Sequence, residues 1–372
     1  MRIGVPKEIK DQEYRVGLIP SSVGELTKFK HMVLVEQAAG VGSGFSDADY
    51  EAAGAKIVVT AEEVFKTADL IVKVKEPQPE ECRQLRLGQV IFTFLHLAPD
   101  PLQTEQLLTS GCTGIAYETV MDTDGNLPLL MPMSEIAGCL SIQEGAYYLE
   151  KFHGGSGVLL ERIPGVLAAK VVVLGGGVAG TEAIRVAIGM GSEVTVLDKS
   201  MKRLRVLDQM FGARLNTSYA NIANIETAVK SADLVIGAVL VPGAATPRIV
   251  TRALLGQMRK GSVLVDIAID QGGCFESSRA TTHAHPTYIE EGIVHYCVSN
   301  MPSSVSRTAS MALNNATLPF VLELAEKGYR KACLENSALL KGLNIHEGRI
   351  THPAVALALQ KPYTSPESVL RD

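Results

Sequence analysis

The fold of this chain is decided by the stretch Lys170-Val-Val-Val-Leu-Gly-Gly-Gly-Val-Ala-Gly180 and by Val194-Thr-Val-Leu-Asp198, which follows it. The β-branched run over residues 170–174 predicts a buried strand, and the glycines after it have G-x-G-x-x-G spacing. Apolar residues over 183–188 fall on one helical face, and the glycines at 189 and 191 end that helix. Strand, glycine turn, helix and second strand in this order predict a Rossmann-type unit that binds a dinucleotide.

The three glycines of the turn have different tasks. Gly175 allows the sharp turn off the strand, and Gly177 lets a pyrophosphate approach the backbone without a Cβ in the way. Gly180 lets the helix pack closely on the strand, and the helix N-terminus offers unpaired N–H groups to phosphates. The alternative is a glycine-rich turn of some other α/β protein, which the ordered second strand and its terminal acid disfavour.

The second strand ends on Asp198, whose carboxylate can accept hydrogen bonds from an adenosine ribose. In the alternative interpretation, Asp198 is a helix cap. Its negative charge would repel a 2′-phosphate, so this residue favours NAD over NADP as the cofactor. Lys202 and Arg203 lie close by in the sequence and keep NADP open as an alternative.

The length and composition of the chain limit the classes of protein to which it can belong. A chain of 372 residues suits two domains, and 46% hydrophobic with 20% charged residues is ordinary for a globular protein. The net charge of −5 favours neither nucleic acid nor an anionic membrane as a partner. The longest apolar runs have the length of strands, and the first residues carry no apolar core of a signal peptide. The six cysteines are scattered without a C-x-x-C pair, which predicts reduced thiols in a cytoplasmic protein.

Strands and helices alternate along both halves of the chain. Two passages repeat: Lys66-Thr-Ala-Asp-Leu-Ile-Val72 resembles Lys230-Ser-Ala-Asp-Leu-Val-Ile236, and the segment that begins at Gly88 resembles the one at Gly261. This pattern predicts an α/β fold with two Rossmann-like domains, each a doubly wound parallel sheet, that flank an interdomain cleft. Predicted strands cover residues 2–5, 32–35, 57–59, 69–74, 90–95, 114–116, 171–174, 194–197, 234–239, 263–267 and 294–298.

Two long predicted helices connect the domains. Ser134 is the expected N-cap of a helix that runs to about residue 151, and a second long helix covers 307–327. A further helix is expected over 331–340. We therefore expect a discontinuous substrate domain, residues 1–128 with 307–372, and an NAD-binding domain over residues 129–306.

Ligands of open α/β sheets bind beyond the carboxyl ends of the strands, where four polar residues stand out. Arg15 follows the first strand, Lys75 and His96 end two later strands, and Asp270 ends a strand of the second domain. Each of the four also has a structural alternative. Arg15 could form a surface ion pair and Lys75 a solvated strand end, and His96 could be a core histidine. Asp270 could be a turn former. Together they supply a carboxylate fork, a second cation and two acid–base groups, and we expect His96 and Asp270 to face each other.

A metal site is not predicted. His283-Ala-His285 and His295 are candidate ligands, but no cysteine or acid completes a set at ligand spacing.

The chain resembles the alanine dehydrogenase family over essentially its whole length. The residues that carry the resemblance are 7–16, Val74-Lys-Glu-Pro77, Leu95-His-Leu97, Met133-Ser-Glu-Ile-Ala-Gly138, 175–180, Ala238-Val-Leu-Val-Pro-Gly243, 266–275 and His295-Tyr-Cys-Val-Ser-Asn-Met-Pro302. The resemblance implies oxidative deamination of L-alanine to pyruvate and ammonium with NAD, in a homohexamer. It also implies Arg15 and Lys75 for substrate binding, and His96 and Asp270 for catalysis. The implied NAD contacts are Ser134, Val178, Ala179, Asp198, Arg203, Val239, Leu240, Ile267, Ala268, Ile269, Asp270, Arg279, Val298, Ser299, Asn300 and Met301.

Three other functions stay open at this point. One is the nucleotide-binding component of a proton-translocating transhydrogenase, which the joint presence of Arg15, Lys75 and His96 disfavours. The second is a dehydrogenase for a larger amino acid. The third is an NAD-sensing protein without turnover, in which acid–base residues would have no purpose.

Overall fold

Two mostly parallel sheets organise the part of the chain that the computed structural model describes, residues 1–239 and 246–371. The strands are β1 (Arg2–Val5), β2 (Met32–Glu36), β3 (Lys56–Val58), β4 (Leu70–Val72), β5 (Val90–Thr93), β6 (Thr113–Ala116), β7 (Lys170–Leu174), β8 (Glu193–Asp198), β9 (Leu215–Tyr219), β10 (Leu234–Gly237), β11 (Val263–Asp266), β12 (Thr287–Glu290), β13 (Ile293–Tyr296), β14 (Leu343–His346) and β15 (Arg349–Ile350). The predicted α/β class is therefore confirmed.

Helices cover the connections between the strands. They are α1 (Pro20–Lys28), α2 (Asp47–Ala52), α3 (Ala61–Thr67), α4 (Pro79–Cys82), α5 (Pro101–Ser110), α6 (Met131–Tyr148), α7 (Val178–Gly189), α8 (Met201–Phe211), α9 (Ile222–Ser231), α10 (Arg252–Leu255), α11 (Ser306–Lys327), α12 (Tyr329–Glu335), α13 (Ser337–Gly342), α14 (Pro353–Leu359) and α15 (Pro366–Arg371). Short 3₁₀ helices follow several strands, among them Tyr117–Thr119 after β6 and Ile267–Gln271 after β11.

The two sheets have the same order over their six parallel strands. The eight-stranded sheet runs β15-β14-β6-β5-β4-β1-β2-β3, and the seven-stranded sheet runs β12-β13-β11-β10-β7-β8-β9. All neighbouring strands are parallel except at β14, β15 and β12, which lie at one end of each sheet. Each sheet thus reverses its strand order beside its first strand, between β1 and β4 and between β7 and β10. Such switch points are where α/β sheets bind ligands.

Each sheet has a hydrophobic core of its own. Ile71, Ile91 and Leu107 belong to the core cluster of the first sheet, and Val235, Leu264 and Phe275 belong to that of the second. Strands β4, β5, β10 and β11 are buried at every residue, as expected of central parallel strands covered by helices on both faces.

The chain forms two compact units. One contains Met1–Met133 and Ser303–Asp372, and the other contains Ser134–Pro302. The first unit is discontinuous in sequence.

Some predicted elements need correction. Ser134 is not an N-cap, because α6 begins at Met131, where Pro132 fits a first turn whose N–H groups lack helical partners. The helix predicted over 331–340 is two helices, because Asn336 is extended and its side chain caps α13. Strand β9 was not predicted because its polar sequence lacks an apolar alternation, and only Leu215 in it is buried.

Among the helices of the described residues, none has both the length and the hydrophobicity of a membrane span.

Candidate active site

The glycine turn connects β7 to α7 in the second unit. Gly175 has φ of +97°, a conformation that L side chains rarely adopt. A Cβ on Gly180 would lie 1.9 Å from the Gly175 carbonyl oxygen, so the close approach of helix and strand requires glycine here. Gly177 is the N-cap of α7, and a Cβ on it would meet no heavy atom within 4 Å outside its own and the adjoining residues of the described chain. The turn therefore leaves room beside the helix N-terminus for a ligand.

Asp198 ends β8 and fixes the glycine turn. Its Oδ2 accepts a hydrogen bond from the Gly176 N–H at 2.8 Å, and its Oδ1 accepts one from the Ser200 N–H at 2.7 Å. The expected ribose acceptor thus also shapes the turn and the start of α8. A carboxylate in this place has lone pairs for additional donors.

Arg203 lies along the same turn. Its Nε donates to the Gly176 carbonyl and its Nη2 donates to the Thr181 hydroxyl. Its neighbour Lys202 is exposed. Of the two cations that kept NADP open, one is therefore bound to the turn and the other extends into solvent.

The remaining NAD candidates follow the strands of the second sheet at their carboxyl ends. Val239 follows β10, residues 267–270 form the 3₁₀ helix after β11, and residues 298–301 follow β13. Because these strands are parallel, the structure brings these segments to one edge of the sheet. Ser134 lies in α6, whose Gly138 packs against the first turn of α7. Leu240 lies outside the described residues.

Arg279 is exposed and stacks on an aromatic ring. Its guanidinium carbon lies 4.0 Å from the ring centre of Tyr288. The Tyr288 hydroxyl accepts a hydrogen bond from the Arg279 N–H at 3.0 Å and donates one to the Ser277 carbonyl at 2.7 Å. The Tyr288 ring thus supports the Arg279 guanidinium at the surface of the protein.

Asp270 is exposed in the 3₁₀ helix after β11, and the buried Asp266 holds that helix. The Asp266 carboxylate accepts hydrogen bonds from the N–H groups of Ala268, at 3.1 Å, and Cys274, at 2.7 Å. It also accepts one from the Ser278 hydroxyl. Burial raises the pKa of Asp266, whereas these hydrogen bonds oppose the rise.

In the first unit, Arg15 is a buried fork. Only 2% of it is exposed, and its Nε and Nη2 donate to the two carboxylate oxygens of Glu13 at 2.7 and 2.6 Å. Its Nη1 donates to the Met133 sulfur at 3.0 Å. The Nε–Nη2 edge is therefore oriented by Glu13, and the guanidinium presents its Nη1 side toward the start of α6.

Lys75 follows β4, and its backbone is held on both sides. Its N–H donates to Glu8 Oε1 at 3.3 Å, and its carbonyl accepts from the Thr93 hydroxyl at 2.9 Å. The next residue, Glu76, forms an ion pair with Lys10. Burial opposes the charge of Glu76, but Lys75 and Lys10 outweigh it and lower the pKa of this carboxyl.

His96 follows β5 in a strained conformation. Its φ of +49° is unusual for a residue with a side chain. The Glu118 carboxylate accepts hydrogen bonds from the backbone N–H groups of Leu95 and His96, the second at 2.6 Å. The imidazole stacks on Phe94, with 5.7 Å between ring centres, and its Nδ1 lies 4.0 Å from Glu118 Oε1. The turn thereby exposes the ring beyond the strand.

Arg15, Lys75 and His96 follow β1, β4 and β5, which are neighbours in the first sheet. Their parallel strands bring them to one edge, at the switch point between β1 and β4. In the second sheet, Asp270 follows β11, which occupies the place that β5 has in the first sheet.

The histidines considered as metal ligands have other partners. His295 is fully buried, its Nδ1 donates to the Ile293 carbonyl at 3.0 Å, and its Nε2 lies 2.8 Å from the Ser277 hydroxyl. Burial lowers the pKa of His295 to about 4. Within residues 1–239 and 246–371, no cluster of histidine, cysteine and acidic side chains could hold a metal ion.

Two family models match this chain. The N-terminal domain of alanine dehydrogenase/PNT matches residues 4–137, and the C-terminal domain of the same family matches residues 141–353. The chain belongs to the alanine dehydrogenase/PNT family. An alanine dehydrogenase of Halomonas elongata is 54% identical over 370 residues, which are 100% of this chain and 100% of that protein.

Solved structures agree with this membership in the alanine dehydrogenase/PNT family. An L-alanine dehydrogenase with 52% identity has a TM-score of 0.94 and covers 97% of this chain and 99% of its own. A transhydrogenase from Sinorhizobium meliloti has 27% identity and a TM-score of 0.81, and covers 95% of this chain and 100% of its own. The resemblance inferred from the motifs, and the two Rossmann-like domains, are thus confirmed.

Three carboxylates of this alanine dehydrogenase/PNT chain escaped the sequence analysis: Glu13, Glu118 and Asp266. Each positions a candidate residue rather than standing among the candidates. Glu13 lies two residues before Arg15. The alternating charges of residues 7–15 were a sequence signal for an ion pair between the two. Glu118 is 22 residues from His96, so their contact has no local signature.

Proposed function

We propose that the chain catalyses the NAD-dependent oxidative deamination of L-alanine to pyruvate and ammonium, and the reverse reductive amination. The observation that carries the proposal is the placement of Arg15, Lys75 and His96 after neighbouring strands at one switch point. This set offers a guanidinium that can bind a carboxylate, a second cation and an acid–base group, as an amino acid substrate requires. The named relatives and the family membership support the same reaction.

The second unit fits NAD. The turn at Gly177 leaves a Cβ-free space at the N-terminus of a 12-residue helix, where N–H groups suit a pyrophosphate. Asp198 would accept hydrogen bonds from the adenosine ribose and repel a 2′-phosphate. We propose further contacts from Ser134, Val178, Ala179, Arg203, Val239, Leu240, residues 267–270, Arg279 and residues 298–301. When bound, NAD supplies the acceptor for the hydride.

Arg15 and Lys75 are proposed to bind the substrate. The guanidinium would hold the alanine carboxylate, with Glu13 fixing its orientation. Lys75 places a second positive charge where the carbonyl oxygen of pyruvate develops. Both side chains belong to the first unit, so substrate binding is assigned to it and cofactor binding to the second.

His96 and Asp270 are proposed to move the protons. The α-ammonium of alanine must lose a proton before its lone pair can assist loss of hydride and form an iminium. Water then adds to the iminium, and the resulting carbinolamine expels ammonia. An imidazole can both accept and donate a proton and therefore suits these transfers, with Asp270 orienting water or shuttling protons. The two roles are interchangeable in this scheme, and we expect both groups to act on the same substrate.

One assay separates this function from its alternatives. Purified protein is mixed with NAD or NADP and a panel of L-amino acids, and the absorbance of the reduced nicotinamide is followed. We expect turnover with NAD and L-alanine above all other pairs. A higher catalytic efficiency with a larger amino acid would support the second alternative. Binding of NAD without turnover of any amino acid would support a sensor or a transhydrogenase component.

We propose that the chain assembles as a homo-oligomer, in the hexamer that family resemblance implies. Large apolar side chains between residues 152 and 167 support self-association: Phe152 is 96% exposed and Leu167 is 97% exposed. Light scattering after size exclusion should give the mass of six chains. A monomer mass at micromolar concentration would contradict the proposal.

A cytoplasmic location is proposed on the state of the cysteines. All six are free thiols, and five of them are buried. Burial raises the pKa of Cys82 to about 12 and that of Cys112 to about 11, so these thiols stay protonated and unreactive. Fractionation of the producing cells, with the activity as the marker, tests this location.

A further inference from the structure

A buried ion triad lies directly behind the proposed substrate site. Lys73 is fully buried, and its ammonium donates to Glu8 Oε2 at 3.0 Å and to Glu81 Oε1 at 2.6 Å. Both carboxylates are themselves almost completely buried, with side chains that are 2% exposed. The three residues come from the loop after β1, the end of β4 and helix α4.

The second oxygen of Glu8 reaches the backbone of Lys75. Glu8 Oε1 accepts hydrogen bonds from the N–H groups of Val74, at 2.7 Å, and Lys75, at 3.3 Å. On the other side of Lys75, its carbonyl accepts from the Thr93 hydroxyl at 2.9 Å. Two fully or almost fully buried side chains therefore hold both polar groups of one peptide segment.

The contact with Lys73 keeps Glu8 in place. Burial opposes the charge of Lys73, but the carboxylates of Glu8 and Glu81 outweigh it and raise the pKa of Lys73 well above its usual range. Glu81 is fixed in turn, because its Oε2 accepts from the Gln78 N–H at 2.8 Å. Burial raises the pKa of Glu8, whereas the charge of Lys73 opposes that rise. Each member of the triad has defined hydrogen bonds.

A buried ion pair is weak support for a role in stability alone. Removing two charges from water costs about as much as their attraction returns, and apolar replacements are often neutral or stabilising. This triad also lies at the carboxyl end of the sheet, next to the residues that would touch substrate. The loop that begins with Glu8 continues to Arg15, so Glu8 connects the two substrate cations.

We propose that Glu8 and Thr93 are positioning residues that hold Lys75 at its working distance from Arg15. The proposal rests on the proposed function, in which Lys75 and Arg15 bind the substrate. Glu8 acts on Lys75 through the backbone N–H of Lys75. Thr93 acts on Lys75 through its carbonyl. Neither residue is assigned a contact with alanine.

The test compares steady-state constants of the full-length protein and its variants. Glu8→Gln removes the charge that holds Lys73 and keeps the size of the side chain, and Thr93→Val removes only the hydroxyl. A misplacement of about 1 Å can cost roughly 100-fold, so we expect the KM for L-alanine to rise about 10- to 100-fold in Glu8→Gln. A smaller rise in Thr93→Val should follow, and the KM for NAD should stay within about twofold in both.

Gln89→Met is the matched control. Gln89 is also fully buried, and its amide donates to the carbonyls of Phe65 and Ala68 at 2.7 and 2.9 Å, at the other end of β5. It should lower stability while leaving the KM for L-alanine unchanged. In a Lys75→Gln background, Glu8→Gln should cause no further loss of kcat/KM for L-alanine, because it acts through Lys75.

Several results would overturn the proposal. They are an unchanged KM in both Glu8→Gln and Thr93→Val, an equal rise in Gln89→Met, or a full additional loss in the Lys75→Gln background. If Glu8→Gln does not fold, Thr93→Val, which leaves the triad intact, decides alone. If Lys75→Gln itself leaves alanine turnover normal, the assigned role of Lys75 fails, and this proposal fails with it. A loss in Lys75→Gln without one in the other variants overturns only the proposal made here.

Discussion

Arg15 differs from other arginines of the chain in what surrounds its guanidinium. Arg15 is buried, and its guanidinium is held in one orientation by the ion pair with Glu13. Lysine would offer a point charge and lose the fork. Because a hydrogen bond to a charged group contributes about 1.5–3 kcal/mol, Arg15→Lys should raise the KM for L-alanine roughly 10- to 100-fold. The KM for NAD should change little.

Arg2 provides a control for this prediction. It also forms a paired contact with a carboxylate, that of Asp69, but at the opposite end of β1. Arg2→Lys should leave both constants unchanged. If Arg15→Lys left the KM for alanine at its normal value, Arg15 would be a structural ion pair and not a substrate ligand.

Asp198 is expected to decide between the two nicotinamide cofactors. Its carboxylate faces the glycine turn, with Arg203 and Lys202 on the next helix. Asp198→Ala removes the charge that would repel a 2′-phosphate, so the ratio of kcat/KM for NAD over NADP should fall at least tenfold. Loss of the Gly176 contact should also lower the efficiency with NAD itself.

Asp208, on the exposed side of α8, is the matched site for the Asp198 experiment. Asp208→Ala should leave the cofactor preference unchanged. Equal efficiencies of the unaltered protein with NAD and NADP would remove the basis of the assignment.

At the scale of single elements, His295 in β13 should make the free energy of unfolding depend on pH. The Ile293 carbonyl can only accept, so His295 Nδ1 carries the proton and its Nε2 accepts from Ser277. Burial lowers the pKa of His295 from 6.5 to about 4, so unfolding takes up a proton between these values. The free energy of unfolding should therefore fall as pH decreases from 6.5, by about 1.4 kcal/mol per unit and about 3 kcal/mol at pH 4.

Denaturant unfolding of His295→Gln against pH tests that contribution. The variant should lose this part of the slope between pH 6.5 and 4, whereas His285→Gln, at an exposed position, should keep it. Identical slopes in all three proteins would mean that folding does not lower the pKa of His295.

Elements with a strong local signal were predicted almost to the residue. Helix α3 and strand β1 have the predicted limits, because a Thr60 cap and a buried apolar run mark them. Elements that depend on distant partners were missed. Strand β14 pairs with β6 more than 200 residues earlier in the chain, and nothing near residue 343 indicates that partner.

At the scale of the whole molecule, the repeated passages have a physical basis. The aspartate of each passage caps the first strand of its sheet: Asp69 Oδ2 accepts from the Arg2 N–H at 3.0 Å, and Asp233 Oδ2 accepts from the Lys170 N–H at 2.8 Å. Gly88 and Gly261 both enter the following strand with φ near +80°. Two sheets of one topology were therefore readable from the sequence.

The candidate residues could be named because each follows a strand end that the pattern predicts. The carboxylates that orient them could not, since Glu8 and Glu118 reach their partners 67 and 22 residues away. A residue that acts through a distant partner leaves no local motif in the sequence.

The central claim is that His96 and Asp270 move protons in the oxidation of L-alanine. It is tested most directly by the initial rate of NADH formation from NAD and L-alanine, measured in parallel for the unaltered protein, His96→Ala and Asp270→Asn. Loss of a general acid–base group costs roughly 10²- to 10⁴-fold, so each variant should fall by at least 100-fold with its circular dichroism and NAD affinity unchanged. Near-normal NADH formation in either variant would contradict the account.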